Sequence, residues 1–407
     1  MLYLSRNRLG ILKFRSWFSA ENFVIKKVQL LTMSVLFKVP QKMRAVLLNG
    51  YGDINQLEYR TDVSTPMPGE MEVLVRVGAC GINNTDVNVR TRWYDRSVNE
   101  TVSEDFGIRG TDPAGNSNTA IASWNQGTIS FPRIQGAAVA GTIVAVGDGV
   151  AKERLGTRVL VDPSVRDEAH PLFAQLTAYL GADIDGGFAQ YVAVQSANAH
   201  EVQTSLTNEE LATFPCSYDT AEEMLVRTKL SRGELILITG ASGGVGTALV
   251  QLSLLRGAEI VAVASRSKEA RLRALGVQHF VAREGGNFKE NVRHVVKGKE
   301  IDVLADVVGG QNFTDYLKVL RRGGRYATAG AIGGPIQPMD LRDLIYKDLE
   351  MFGITCPTRT TFAQVVHYIN AGKLRPLVEK TYALEDLAQA QMDFVKRSHV
   401  GKYVVVP

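Results

Sequence analysis

The chain has 407 residues, 45% of them apolar and 22% charged, with a formal net charge of +4. That length can bury ample core and implies two domains; the modest charge, with no basic stripe interleaved with aromatics, speaks against a nucleic-acid partner. No run of about 18 apolar residues suggests a membrane span. The three cysteines, Cys80, Cys216 and Cys356, lie far apart and form no CxxC pair. Neither a disulfide framework nor a zinc ribbon is indicated, which fits a reducing compartment.

Through Arg44 there are nine Lys or Arg residues and a single acid, Glu21. Such a basic, acid-poor stretch has the composition of an organelle transit peptide. Met33 and Met43 offer the rival reading of an upstream start. In either case residues 1–42 are expected to be a disordered, non-catalytic extension. The expected location is cytoplasmic, or mitochondrial if the extension is a presequence.

From Met43 the chain reads as strands at 44–48 and 72–77, separated by the Pro66-Met67-Pro68-Gly69 turn. A polar, glycine-rich stretch with little periodicity then extends to about Gly127 and is expected to be a long loop, functional or mobile. Strand signals return at 141–147, at 158–161 and in the glycine-marked segment 185–194, completing a mostly antiparallel half. Residues 206–230 read as helices beginning at Thr207-Asn208-Glu209-Glu210, a plausible capping run.

The most informative stretch is 235–255. Leu235, Ile236, Leu237 and Ile238 form a short buried strand that ends at Thr239-Gly240, and from Val245 the apolar residues Ala248, Leu249, Leu252 and Leu255 recur at helical spacing. Gly243, Gly244 and Gly246 therefore lie at a strand-to-helix junction, with Ala241 in the place of the first glycine of G-x-G-x-x-G. A helix start presents unpaired N–H groups and the positive end of a dipole, so Ser242, Gly243, Gly244, Val245 and Gly246 are expected to cradle a pyrophosphate. Gly243 lets the backbone approach the ligand, and Gly246 lets helix and strand pack closely.

The next strand, 259–264, ends in Ser265-Arg266-Ser267-Lys268 with no carboxylate before Glu269. A ribose 2′-OH calls for Asp or Glu at this point, whereas a 2′-phosphate calls for donors and positive charge, so Ser265, Arg266 and Lys268 favour NADP(H). Strands at 301–306, 325–328 and 351–354 alternate with helices at 313–320 and 341–347, which implies a parallel sheet with right-handed crossovers. Val308 and Gly309 follow one strand and Gly330, Ala331 and Ile332 another, at the edge where such sheets bind ligands. A helix at 385–397 and a last strand at 403–406 are expected to return to the first half.

Five segments occur in a recognisable order: Gly81-Ile82-Asn83-Asn84-Thr85-Asp86, Phe131-Pro132-Arg133-Ile134-Gln135-Gly136, Asp185-Gly186-Gly187-Phe188-Ala189-Gln190-Tyr191, Gly240 to Gly246, and Gly323-Gly324-Arg325-Tyr326. Through them residues 43–407 resemble the medium-chain dehydrogenase/reductase superfamily, within it the zinc-free quinone-reductase and enoyl-reductase branch. The resemblance implies an α/β chain of two parts. A GroES-like, mostly antiparallel catalytic domain spans 43–203 and is completed by 357–407; a doubly wound Rossmann domain spans 204–356, with the active site in the cleft between them.

Zinc alcohol dehydrogenases of this superfamily hold their metal with a Cys in a G-I-C-x-S-D motif, a His-Glu pair after a Gly, and a later Cys. Here the matching positions are Asn83, then Ala137-Ala138 after Gly136, with only Cys216 retained. One thiolate cannot fill a catalytic site that needs three protein ligands, and the four clustered cysteines of the structural zinc lobe are missing, so no metal is expected. Cys216 reads as a small buried residue rather than a nucleophile, and His170 and His200 as ordinary surface or turn residues.

The spacing of Asn83, Asp86 and Tyr94 matches the N-x-x-D and downstream Tyr of the quinone and enoyl reductases. By resemblance Asn83 lies near the nicotinamide and Tyr94 donates to the substrate carbonyl; loop packing by Trp93-Tyr94 is the alternative. Asp86 is either catalytic or a structural carboxylate that bonds loop N–H groups. The implied activity is hydride transfer from NADPH to a quinone or a carbonyl-conjugated alkene. Alternatives are an alcohol or carbonyl oxidoreductase, an enoyl-thioester reductase, and a non-enzymatic NADPH-binding structural or sensing protein. The expected partner is a small-molecule substrate, with a homodimer by analogy alone.

Overall fold

A parallel sheet of six strands carries the glycine-rich junction at its centre. Its order is His279–Ala282, Glu259–Ala264, Leu235–Ile238, Ile301–Asp306, Leu320–Thr328 and Glu350–Gly353, and every pair is parallel. The order reverses between Leu235–Ile238 and Ile301–Asp306, the doubly wound arrangement whose crevice opens at the carboxyl ends of the strands. All four residues of Leu235–Ile238 are buried, as a central strand covered on both faces requires.

This computed structural model describes residues 38–111, 129–166 and 176–407. The chain divides into two units, Met1–Pro40 and Gln41–Pro407; the sheets and the cleft belong to the second. The expected extension up to residue 37, the 112–128 part of the expected loop, and His170 lie outside the described residues. Among the described residues no helix is long and apolar enough to cross a membrane.

A second, mostly antiparallel sheet runs Ala199–Glu201, Arg158–Val161, Ala138–Val146, Glu72–Gly81, Lys402–Val406 and Val378–Ala383, with Tyr191–Gln195 also paired to Glu72–Gly81. The last strand returns to the first half as expected, pairing Val404 with Gly81 and Val405 with Cys80. A smaller sheet joins Leu57–Ser64, Lys42–Leu48 and Arg133–Ile134. The two-part α/β architecture expected from the sequence is therefore present.

Differences are local. The strand expected at 72–77 continues to Gly81, because Ala79, Cys80 and Gly81 keep their pairing with Ala140, Val139 and Ala138. Within the expected loop stand two short helices, Asn84–Arg90 and Glu104–Arg109. Their apolar content is too small to show a period; tertiary bonds hold them. Arg90, fully buried, donates to the carbonyls of Gly52 and Gly107 and to Gln391. Leu57–Ser64 escaped the sequence reading because its residues, LEYRTDVS, are mostly solvent-facing and polar.

Candidate active site

The cleft along the carboxyl edge of the parallel sheet has a volume of about 1120 Å³ and reaches from the glycine-rich junction to helix Asn84–Arg90. At its floor, Gly240 turns with φ of 56° out of strand Leu235–Ile238, and Gly243 caps helix Gly244–Arg256 in extended conformation. The first amides of that helix have no intrahelical partner, and residues 243–246 line the cleft. A Cβ on Gly246 would lie 2.2 Å from the Gly240 carbonyl oxygen, which confirms the close-packing role read for it, whereas one on Gly243 would find its nearest neighbour at 3.6 Å. Unpartnered amides at a helix start form a cradle of backbone donors, the kind of group that suits an anion.

Beyond it, Ser265 and Lys268 line the cleft, while Arg266 does not. The Arg266 side chain is 75% exposed and faces Glu269 at 3.7 Å. Lys268 is buried, and its Nζ donates to Ser242 Oγ at 3.0 Å and to the Arg397 carbonyl at 2.6 Å. Burial pushes the Lys268 ammonium down to about 8, with the nearby charges of Arg283, Arg271 and Arg397 adding to the effect. Arg283 and Arg397 line the same end. Sequence reasoning missed both, because they come from other strands and from the chain terminus.

The loops that continue the cradle are tied to one buried carboxylate. Asp306 accepts from Thr239 Oγ1 at 2.5 Å, from Tyr326 Oη at 2.7 Å, and from the amides of Val308 and Gly309. It thereby locks three neighbouring strand ends together. The Gly333 amide donates to Val308 O at 2.7 Å, so the 308–310 and 330–333 turns form one wall. Val308, Gly309, Gly330, Ala331 and Ile332 all line the cleft, as the sequence placed them.

At the far end, Asn83 caps helix Asn84–Arg90 and faces Lys402, whose Nζ donates to Asn83 Oδ1 and, at 3.0 Å, to Ser217 Oγ. Burial lowers the Lys402 ammonium from its ordinary value, opposed by Cys216, Asp86, Cys80 and Asp219. Tyr94 lines the cleft and donates to Thr85 Oγ1 at 3.4 Å; burial holds its phenol well above the usual value, so it stays protonated. Cys216 Sγ lies 3.1 Å from Tyr179 Oη, and burial pushes the thiol up to about 11. It is a neutral thiol at physiological pH and a poor nucleophile.

Asp86 sits behind this surface rather than on it. Its carboxylate accepts the amides of Asn83 at 2.8 Å and Gly136 at 3.2 Å. Burial nevertheless pushes Asp86 up to about 7. It fastens the start of the helix to the Gln135-Gly136 turn. Among the described residues, no three His, Cys, Asp or Glu side chains gather as a metal-binding group.

A solved structure from Sinorhizobium meliloti 1021, assigned provisionally as an alcohol dehydrogenase, is similar throughout: 45% identical, TM-score 0.82, covering 93% of this chain and 99% of that one. The chain belongs to the medium-chain dehydrogenase/reductase superfamily. Family models agree: an alcohol dehydrogenase GroES-like domain matches residues 69–204 and a zinc-binding dehydrogenase model matches residues 244–371. The quinone oxidoreductase of Lama guanicoe is 27% identical over 373 residues, 89% of this chain and 97% of that protein. The 2-octenoyl-CoA carboxylase reductase CinF, solved with NADP and 2-octenoyl-CoA, is 25% identical with a TM-score of 0.76, covering 90% of this chain and 88% of that one. This superfamily member is thus an oxidoreductase by kinship.

What the sequence reading missed at the Asn83 end of the cleft was Lys402 and Ser217. A lysine opening an apolar strand, Lys402-Tyr403-Val404-Val405-Val406, is the one local signal, and it is too ordinary to single out.

Proposed function

We propose that this dehydrogenase/reductase is a zinc-independent enzyme that reduces a quinone or a carbonyl-conjugated alkene at the expense of NADPH. The observation that carries the reading is the meeting, in one cleft, of a backbone cradle for a dinucleotide with a buried end whose polar groups are proton donors. When bound, the nicotinamide supplies a hydride. The residues at 243–246 would hold its pyrophosphate, and Val308, Gly309, Gly330, Ala331 and Ile332 would face its nicotinamide half. Ser265 and Lys268, joined by Arg283 and Arg397, give the 2′-phosphate its positive surroundings, and a relative solved with NADP agrees with that choice.

Tyr94, kept protonated by burial, donates to the acceptor oxygen as negative charge develops there. Asn83 lines the same cleft. Asp86 in this reading is a positioning residue, since backbone amides occupy its carboxylate. The catalytic unit is 43–203 closed by 357–407, and the dinucleotide unit is 204–356. A homodimer would cover the exposed Leu341, Ile345, Tyr346 and Met351 at the parallel sheet's edge.

A catalytic zinc does not fit the residues present. Asn83 offers an amide that already bonds the Lys402 ammonium, and Cys216 is the one thiol at the matching positions, which leaves too few ligands for a metal that needs three. The quinone oxidoreductase relative and CinF support a quinone or enoyl acceptor, and the 45% identical structure assigned provisionally as an alcohol dehydrogenase supports an alcohol or carbonyl substrate as the second reading. The test is oxidation of NADPH and NADH by the full chain, with and without chelator, against quinones, enones, enoyl thioesters and aldehydes. NADPH-selective turnover of a quinone or enone, untouched by chelator, is expected. Turnover of aldehydes alone would move the assignment to an alcohol or carbonyl oxidoreductase, and NADPH binding without any oxidation to a sensing protein.

A further inference from the structure

Two of the three N–H groups of the Lys402 ammonium go to Asn83 Oδ1 and Ser217 Oγ, and among the described residues no acceptor takes the third. Lys402 is 3% exposed, yet it lines the cleft beside Asn83, Cys216 and Ser217. We propose that Lys402 supplies the fixed positive charge that receives the negative charge developing on the acceptor oxygen, the electrostatic task that a metal ion performs in a Lewis-acid enzyme.

The placement is rigid. The Gly401 amide donates to Ser242 O at 2.9 Å and the Lys402 amide to Leu377 O at 2.9 Å, so the chain entering the last strand is bonded to the glycine-rich loop and to the residue before the neighbouring strand. The Lys402 stem packs against Gly244: a Cβ there would lie 2.7 Å from Lys402 Cδ and 2.6 Å from Ser217 Oγ. The charge is thus fixed between the cofactor loop and the acceptor wall, where hydride transfer has to occur. Donors fixed before reaction cost no reorganisation when charge appears.

The carboxyl groups of Asp86 and Asp219 offset part of the cost of burying Lys402, though burial still outweighs them. Asp86 and Cys80 approach from helix Asn84–Arg90 and strand Glu72–Gly81, Cys216 and Asp219 from the start of helix Tyr218–Arg227, and His399 from its own terminal segment. Cys80 and Cys216 remain neutral thiols because burial raises both. Asp86 is engaged by two amides, so the ammonium is left with charge to spend on a ligand. In the reduction, the hydride would leave a C–H bond of the reduced cofactor for the acceptor carbon, the displaced π pair moves to the acceptor oxygen, and a proton delivered through Tyr94 and replaced from solvent completes the product. Lys402 acts at the middle stage, on the oxygen that holds the pair.

This inference rests on the proposed reductase reading, and its test separates the two. The full chain, saturated with NADP⁺, is titrated with 4-nitrophenol, whose phenolate is read by its visible absorbance. Wild type is expected to favour bound phenolate over phenol by roughly tenfold more than water does. Lys402→Met, a neutral side chain of similar length that can fill the buried site, is expected to lose that preference, and Lys402→Arg to keep most of it. With NADPH and 1,4-naphthoquinone or cyclohexenone, Lys402→Met should lower kcat by about 10²- to 10³-fold, while the NADPH dissociation constant moves less than about threefold. Equal phenolate preference in wild type and Lys402→Met, or no phenolate bound by either, overturns the proposal. So does an NADPH affinity that falls in step with turnover, which would make Lys402 a prop of the glycine-rich loop. If wild type oxidises NADPH with neither acceptor, the reductase reading falls and the phenolate titration still decides the role of Lys402.

Discussion

At the glycine-rich end of the cleft the groups offered to a ligand are backbone amides of consecutive residues, 244–246, the Gly243 amide being bonded to the Gly240 carbonyl, whereas at the proposed acceptor end they are side chains drawn from Asn83, Tyr94, Ser217 and Lys402. The first construction depends on the absence of side chains: Gly246 is needed because a Cβ would strike the Gly240 carbonyl at 2.2 Å. The second depends on burial, which keeps the Tyr94 phenol protonated and presses an ammonium against an amide and a hydroxyl. A change at one end should therefore alter binding, and a change at the other should alter turnover.

The largest expected effect tests the acceptor end. Tyr94→Phe removes only a hydroxyl, and kcat should fall by about 10²-fold or more, the usual worth of a placed proton donor, with the NADPH dissociation constant unchanged in a fluorescence titration. A kcat within twofold of wild type would reduce Tyr94 to loop packing beside Trp93. Because the phenol is raised above its usual value, the wild-type kcat profile should show no ionisation of Tyr94 up to pH ~10.

Next comes the loop itself. Gly246→Ala must displace backbone, at a cost of about 1–3 kcal/mol, and should weaken NADPH by roughly tenfold or more as the amides lose alignment. Gly243→Ala has room, 3.6 Å to its nearest neighbour, and should unfold within about 0.5 kcal/mol of wild type. Equal losses of thermal stability at the two positions would break the idea that the cradle is set by close packing at Gly246.

The smallest effects separate two basic residues that the sequence treated alike. Lys268→Met should cut the preference for NADPH over NADH by about tenfold, in line with a charge-assisted hydrogen bond. Arg266→Ala should change it less than about twofold, since that side chain is 75% exposed and turned towards Glu269. Comparable losses from both would return Arg266 to the phosphate site.

The legibility of the two ends follows their construction. A strand, three glycines and an apolar helical period are adjacent in sequence, so the 235–255 stretch disclosed its local structure and suggested the ligand class proposed for it. The parallel sheet and the return of the last strand were readable for the same reason, from segments whose apolar pattern is continuous. The helices Asn84–Arg90 and Glu104–Arg109 were not, because contacts such as those of Arg90 with Gly52, Gly107 and Gln391 hold them rather than any period of their own. From the sequence Asp86 could be read as catalytic or structural; the structure adds that its carboxylate accepts two backbone amides from behind the cleft wall.

By itself the sequence determined the superfamily, the α/β class, the position of the glycine cradle and the loss of zinc-ligand residue types at 83 and 137–138, since each is a property of residue identity at short spacing. Only the tertiary structure decided that Lys402 meets Asn83 across 319 positions of chain and Ser217 across 185, that Arg266 points away while Arg397 approaches, and that Asp86 stands behind the cleft wall. Those outcomes depend on which side chains folding buries together, and burial of this kind is set by sheet pairing between distant strands, which no local pattern encodes.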